Sequence, residues 1–126
     1  MNGVTPEQAV GHLIEILAGV SGSVLFATGV SNEGFVGDSE CFVSRDKEVH
    51  DVPTEIVLDF IKHSNASGVL LTSRVNGDVA QPSSDLSRFT RSFLEDARRA
   101  GVDLVDHYLV TDGGLISMRE ATNLWN

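Results

Sequence analysis

The stretch from residue 68 to residue 111 constrains the fold more than any other part of the chain. Gly68-Val-Leu-Leu-Thr72 is a continuous apolar run and reads as a buried strand. Asn76-Gly77-Asp78 is a turn signal. Ser83 or Ser84 then caps a long helix, whose apolar stripe is Leu86, Phe89, Phe93, Leu94, Ala97 and Ala100. Arg98 and Arg99 suit its C-terminal dipole, and Gly101 stops it. Val102 to Thr111 reads as a second strand, Asp112-Gly113-Gly114 as a hairpin turn, and Leu115 to Met118 as a short returning strand. Arg119 to Trp125 closes with a turn of helix.

The first half carries the same alternation. Thr5-Pro6-Glu7-Gln8 supplies an N-cap, a first-turn proline and a capping-box Gln. Val10, Leu13, Ile14, Leu17 and Val20 follow at helical spacing, and Gly19 and Gly22 mark the stop. Ser23 to Thr28 reads as a buried strand, residues 29–34 as a turn, and Gly34 to Val43 as a second strand with a bulge at Gly37. A helix from near Pro53 to about Ser64 places Ile56, Val57, Phe60 and Ile61 on one face. Helices alternating with strands imply a sheet covered on both faces. The expected fold is a single α/β domain, three-layer α/β/α around a central mixed sheet. Residues 1–22 form its N-terminal helix, and 23–126 form the remainder of the same domain.

Composition sets the outer limits. A chain of 126 residues fits one domain and can bury a core without staples. The net charge of −9, with only 9 Lys and Arg, repels phosphate backbones, so no nucleic acid is expected as a partner. No apolar run is long enough to cross a bilayer, so no membrane partner is expected. Cys41 is the only cysteine, which suits a reducing compartment. Within Cys41-Phe-Val43 it reads as a buried, inert thiol. The N-terminus lacks a basic region ahead of an apolar run, and the expected location is cytoplasmic. Trp125 reads as docking on its own core.

Val24-Leu-Phe26, Asn65-Ala-Ser-Gly-Val-Leu-Leu71, Pro82-Ser83, Thr90 to Gly101 and Asp106-His107-Tyr-Leu-Val110 together resemble the RadC-like branch of the JAB/MPN (JAMM) family. The resemblance runs from about Val24 to Trp125. The family pattern has HNHPSGDPTPSxxD after a strand, then a Thr-led helix ending in Gly, then an Asp-His-led strand. It implies a cytidine-deaminase-like architecture. It also implies a zinc site made of an H-x-H step, an Asp about eleven residues later, and a Glu on an earlier strand. Neutral imidazoles and a carboxylate hold zinc with one position open for water, whose pKa falls to about 7. The Glu then moves the proton.

The resemblance places the H-x-H step on Ser73-Arg74-Val75 and the Asp on Leu86. It places the Glu on Glu40 or, with a one-residue shift, on Ser39. A hydroxyl and two aliphatic side chains do not replace two imidazoles and a carboxylate, so no zinc of the family type and no other cofactor is expected. Glu40, Ser73 and Asp85 remain as relic candidates. Asp85 adjoins the lost Asp position but points about 100° away on a helix. His12, His50 and His63 show no ligand spacing among themselves. His107 reads as a structural hydrogen-bonding residue. Ser73 as a nucleophile needs a base, and His50 or His107 is the histidine to watch for in space.

The resulting reading is a non-catalytic domain that binds a protein partner or itself, with a homodimer as the default arrangement. The alternative is a hydrolase of peptide or isopeptide bonds, working without a metal or with one relocated among Glu40, Asp78, Asp85 and a remote His. A third reading, a small-ligand or nucleotide binder, lacks the H-x-E and C-x-x-C signature of the deaminases, since Cys41 stands alone.

Overall fold

The computed structural model describes residues 8, 11, 12, 15, 17, 23–31, 33, 36–43, 48–75 and 81–125. The turn signal at residues 76–78, the cap at residues 5–7 and the stop at Gly19 and Gly22 lie outside them. Gln8, Gly11, His12, Glu15 and Leu17 are helical.

Among the described residues five strands follow: β1 (Val24–Val30), β2 (Val36–Val43), β3 (Gly68–Arg74), β4 (Asp103–Thr111) and β5 (Gly114–Ser117). They form one sheet in the order β2-β1-β3-β4-β5. Among the described residues only β3 and β4 run parallel, and the helix between them supplies the long crossover that parallel pairing needs. The helices are α1 (Thr54–His63), α2 (Ser84–Arg99) and α3 (Met118–Ala121), and a short 3-10 turn covers Val49–Asp51. This is the α/β architecture with a mixed sheet that the pattern of runs and stripes predicts.

The two sheet faces bury different sets. Leu25 and Ala27 of β1, Val69 and Leu71 of β3, and Leu104 and Leu109 of β4 share one core with the inward residues of α1 and α2. On the opposite face Leu17, Val24 and Val110 pack together with Phe26. The stripe of α2 buries Leu86, Phe89, Phe93, Leu94 and Ala97, and Thr90 with them. Gly101 leaves the helix at φ +75°, a conformation that suits glycine, while Val102 N–H returns to Ala97 O at 2.8 Å. In α1 the inward residues are Val57, Leu58 and Ile61. Ile56 was expected among them, but the helix turns it outward, and it is 47% exposed.

Two irregularities set which way side chains point. Between β1 and β2 the register steps from Thr28↔Ser39 to Val30↔Val36, so two residues of β2, Gly37 and Asp38, oppose Gly29 alone. That is the bulge expected at Gly37. Between β3 and β4 the register steps from Val69↔Leu104 to Leu70↔Asp106, so Val105 is an extra residue in β4. An inserted residue reverses the alternation beyond it. Leu104 faces the helices, and after the insertion His107 and Leu109 face them too.

Candidate functional site

Strand β3 is paired on both sides, with Ser73 opposite Leu25 of β1 and Leu109 of β4. Its alternation turns Val69, Leu71 and Ser73 toward the helices. The re-aimed His107 meets Ser73 there, Oγ to Nε2 at 2.6 Å. The other ring nitrogen, Nδ1, is 2.8 Å from Thr90 Oγ1 on α2. The Phe89 ring meets the imidazole edge-on at 6.1 Å. Ser73, Thr90 and His107 have no exposed surface.

Desolvation pushes His107 down to about 3, so the ring is neutral around pH 7. A neutral imidazole has one N–H and one lone pair, so one hydroxyl donates to it and the other accepts from it. The network thus satisfies both ring nitrogens inside the core. It ties β3, β4 and α2 together, with His107 hydrogen-bonded to Ser73 and Thr90. It also answers the question of a base for Ser73: a histidine does reach it, but the pair is sealed from substrate. The third group is a threonine, where an activated nucleophile would have an orienting carboxylate.

The neighbouring carboxylate serves a different purpose. Asp106 is buried and points away from the ring. Its Oδ1 accepts from His107 N–H at 2.7 Å and Arg119 N–H at 3.0 Å, and its Oδ2 accepts from Ser117 Oγ at 2.6 Å. It clamps β4 to β5 and α3. The sequence reading gives Asp106 no role, although a carboxylate before His107 inside a largely apolar strand, where it needs hydrogen-bond partners, was a usable signal.

Val75 and Leu86, the other two positions on which the resemblance places metal ligands, come together. Val75 follows β3 directly, its N–H bonded to Val110 O at 2.9 Å. Leu86 lies in the first turn of α2, its N–H held by the Ser83 cap at 3.1 Å. Both line a cleft of about 170 Å³ with Val49, Glu48, His50, Ser23, Arg74 and Ser83. Glu48 accepts a hydrogen bond from Ser23 Oγ at 2.7 Å. Arg74, which sequence reasoning passed over, is buried; it bonds to Val75 O at 2.9 Å and Val110 O at 3.1 Å, and pairs with Asp112.

A zinc ion needs three or four N, O or S donors within about 2.0–2.3 Å. The three positions offer a hydroxyl already held by His107 and two aliphatic groups. Among the described residues, no three of His, Cys, Asp and Glu converge as a metal set. This donor set does not fit zinc.

The other candidates are dispersed. Glu40 is exposed on β2, opposite Ala27, which in turn opposes Leu71. Phe42 is the β2 residue in line with Leu25 and Ser73, so Glu40 sits two residues along and two strand spacings, about 10 Å, across from Ser73. Ser39 pairs with Thr28, hydroxyl to hydroxyl at 2.8 Å. Asp85 is exposed in the first turn of α2, 3.9 Å from Arg88. It lines a second, wider cleft with His50, Arg88 and Phe89. Asp78 lies outside the described residues. His12 is exposed, and His63 Nδ1 donates to Asp59 O at 2.7 Å.

Two readings outside the cleft also resolve. Cys41 was expected to be buried, but it is exposed. It lies on β2, an edge strand with a neighbour on one side only, which an apolar run does not reveal. Partial desolvation still raises its pKa, which favours the thiol. Trp125 does dock on its own domain, its indole N–H bonded to Leu104 O at 2.8 Å.

With this geometry in hand, the chain matches the family model described as "RadC-like JAB domain" over residues 23–124. It is 33% identical over 98 residues to a UPF0758 protein of Paracidovorax citrulli, covering 78% of this chain and 40% of that protein. It is 32% identical over 74 residues to a UPF0758 protein of Trichormus variabilis, covering 59% of this chain and 30% of the relative. A UPF0758 protein of Enterococcus faecalis is 32% identical over 68 residues. The chain spans well under half the length of these curated relatives. The family match covers most of its sequence, and the chain belongs to the RadC-like JAB domain family.

Proposed function

We propose that this RadC-like JAB domain is a non-catalytic interaction or scaffold module that binds a protein partner, either another copy of itself or a different chain. One observation carries the reading. Of the three positions where the resemblance places metal ligands, one is a hydroxyl locked to a buried imidazole and two are the aliphatic walls of a cleft. A site that has exchanged donors for apolar surface loses its grip on a cation and gains area for association. The N-terminal segment, residues 1–22, belongs to the same domain, a reading supported by the packing of Leu17 against Val24 and Val110. The single cysteine, a free thiol, fits a reducing compartment, and we place the protein in the cytoplasm. No described helix is long and apolar enough to cross a membrane.

Elemental analysis of protein purified in the presence of zinc tests the reading. The expected zinc content is far below one ion per chain, with no cleavage of peptide or isopeptide substrates. Stoichiometric zinc that disappears with Glu40→Gln, Glu48→Gln or Asp85→Asn, together with cleavage, would return the domain to the hydrolases.

A further inference from the structure

Strand β4 outruns its neighbour on one side. Strand β5 pairs only with residues 108–111, so among the described residues 103–107 of β4 have no strand on that edge. Their outward backbone groups need partners other than a strand. The chain after β5 supplies them. Trp125 Nε1–H donates to Leu104 O at 2.8 Å, and Arg119 Nη1 donates to Val105 O at 2.9 Å. Ser117 Oγ and Arg119 N–H donate to the Asp106 carboxylate at 2.6 and 3.0 Å. All four hydrogen bonds land on residues 104–106, the stretch that contains the inserted Val105.

The direction of the carbonyls gives this strap its meaning. In a regular strand successive carbonyls point to opposite neighbours, so only one of Leu104 O and Val105 O would face away from β3. The insertion breaks that alternation, and one strap reaches both oxygens. Its donors therefore match the bulged form of β4 and lose a partner in the unbulged form. A group that binds one of two arrangements more tightly shifts the chain toward it. The strap has its own anchors: Met118 is fully buried, and Leu124 and Trp125 pack against the helix-side core. The Arg119 guanidinium lies 6.0 Å from the centre of the Trp125 ring, which keeps the two donors side by side. Helix α3 has only 4 residues and is too short to persist without these contacts.

We propose that residues 117–125 are a register lock for β4. Trp125 and Arg119 select the strand form that contains the Val105 insertion, and they act as positioning residues for the imidazole of His107. When the lock opens, His107 leaves Ser73 and Thr90 before the rest of the domain unfolds.

Nitrogen-15 spectra of the His107 ring and native-state amide exchange, both on the full chain, test the proposal. Arg119→Met and Trp125→Phe each remove one donor, and Phe keeps an aromatic ring. Together they are expected to shift or broaden both His107 ring-nitrogen signals at neutral pH. They are also expected to speed amide exchange at residues 104–109 by at least about 10-fold relative to α1. Arg119→Lys retains a donor and is expected to keep the wild-type ring signals. Ile61→Val, a core substitution in α1, is expected to lower stability without moving them. Unchanged ring signals in the double variant, or equal acceleration in β4 and α1, would overturn the proposal. So would Arg119→Lys behaving like Arg119→Met, or Ile61→Val moving the ring signals as the double variant does. If the double variant does not fold, Trp125→Phe alone is read in the same two ways, with about 3-fold faster exchange expected at residues 104–109 relative to α1.

Discussion

Burial of an uncharged imidazole makes one residue, His107, a source of acid sensitivity. Its ordinary value is 6.5, and desolvation lowers it to about 3 in the folded chain. Between these values the unfolded chain binds a proton at this ring and the folded chain does not, so stability rises with pH across that window. The contribution is fully present above pH 6.5, is lost as the pH falls toward 3, and amounts to several kcal/mol. Urea midpoints of the wild type should therefore fall more steeply from pH 6.5 to 3 than those of His107→Gln. Parallel profiles would count against this. At neutral pH, His107→Leu strands the hydroxyls of Ser73 and Thr90 and should cost about 2–4 kcal/mol in chemical denaturation. Thr72 is the opposite case, since its buried Oγ1 finds no partner among the described residues. Thr72→Val keeps the shape and removes the orphan, and should stabilise the fold by about 1 kcal/mol in the same assay.

The elements were the most legible level of the sequence, because caps and periodicity act over a few residues. The Ser83 cap, the α2 stripe and the Gly101 stop are all visible within the helix's own neighbourhood. Ser83→Ala should destabilise the domain by about 1 kcal/mol, read from the shift in urea midpoint. Strand lengths were less legible: β3 continues through Ser73 and Arg74, polar residues that pass unnoticed as part of an apolar run. They are buried because β3 is central and each finds partners far along the chain. Asp106 joins three elements through three accepted hydrogen bonds. Asp106→Ala should cost about 2–4 kcal/mol and speed amide exchange at His107 and Arg119 before it affects α1.

At the scale of the molecule, the relevant question is what binds and what does not. A protein held together by a metal melts earlier when the metal is chelated. Here the donor set is a sequestered hydroxyl and two aliphatic side chains, so melting curves with added zinc and with chelator should coincide. Separation of the two curves beyond experimental scatter would contradict the donor argument.

The sequence by itself determined which segments form helices and which form strands, and that Ser73, Val75 and Leu86 supply no imidazole or carboxylate, because these depend on residue type and short-range spacing. The tertiary structure decided the strand order and the exposure of Cys41 on an edge strand. It also decided the contact between Ser73 and His107 across 34 residues. That contact depends on one extra residue, Val105, in the β3–β4 register. Regular alternation from Leu104 would aim His107 at the opposite face. The inserted residue turns it back toward α2, a choice made by pairing with a distant strand rather than by the local run of side chains.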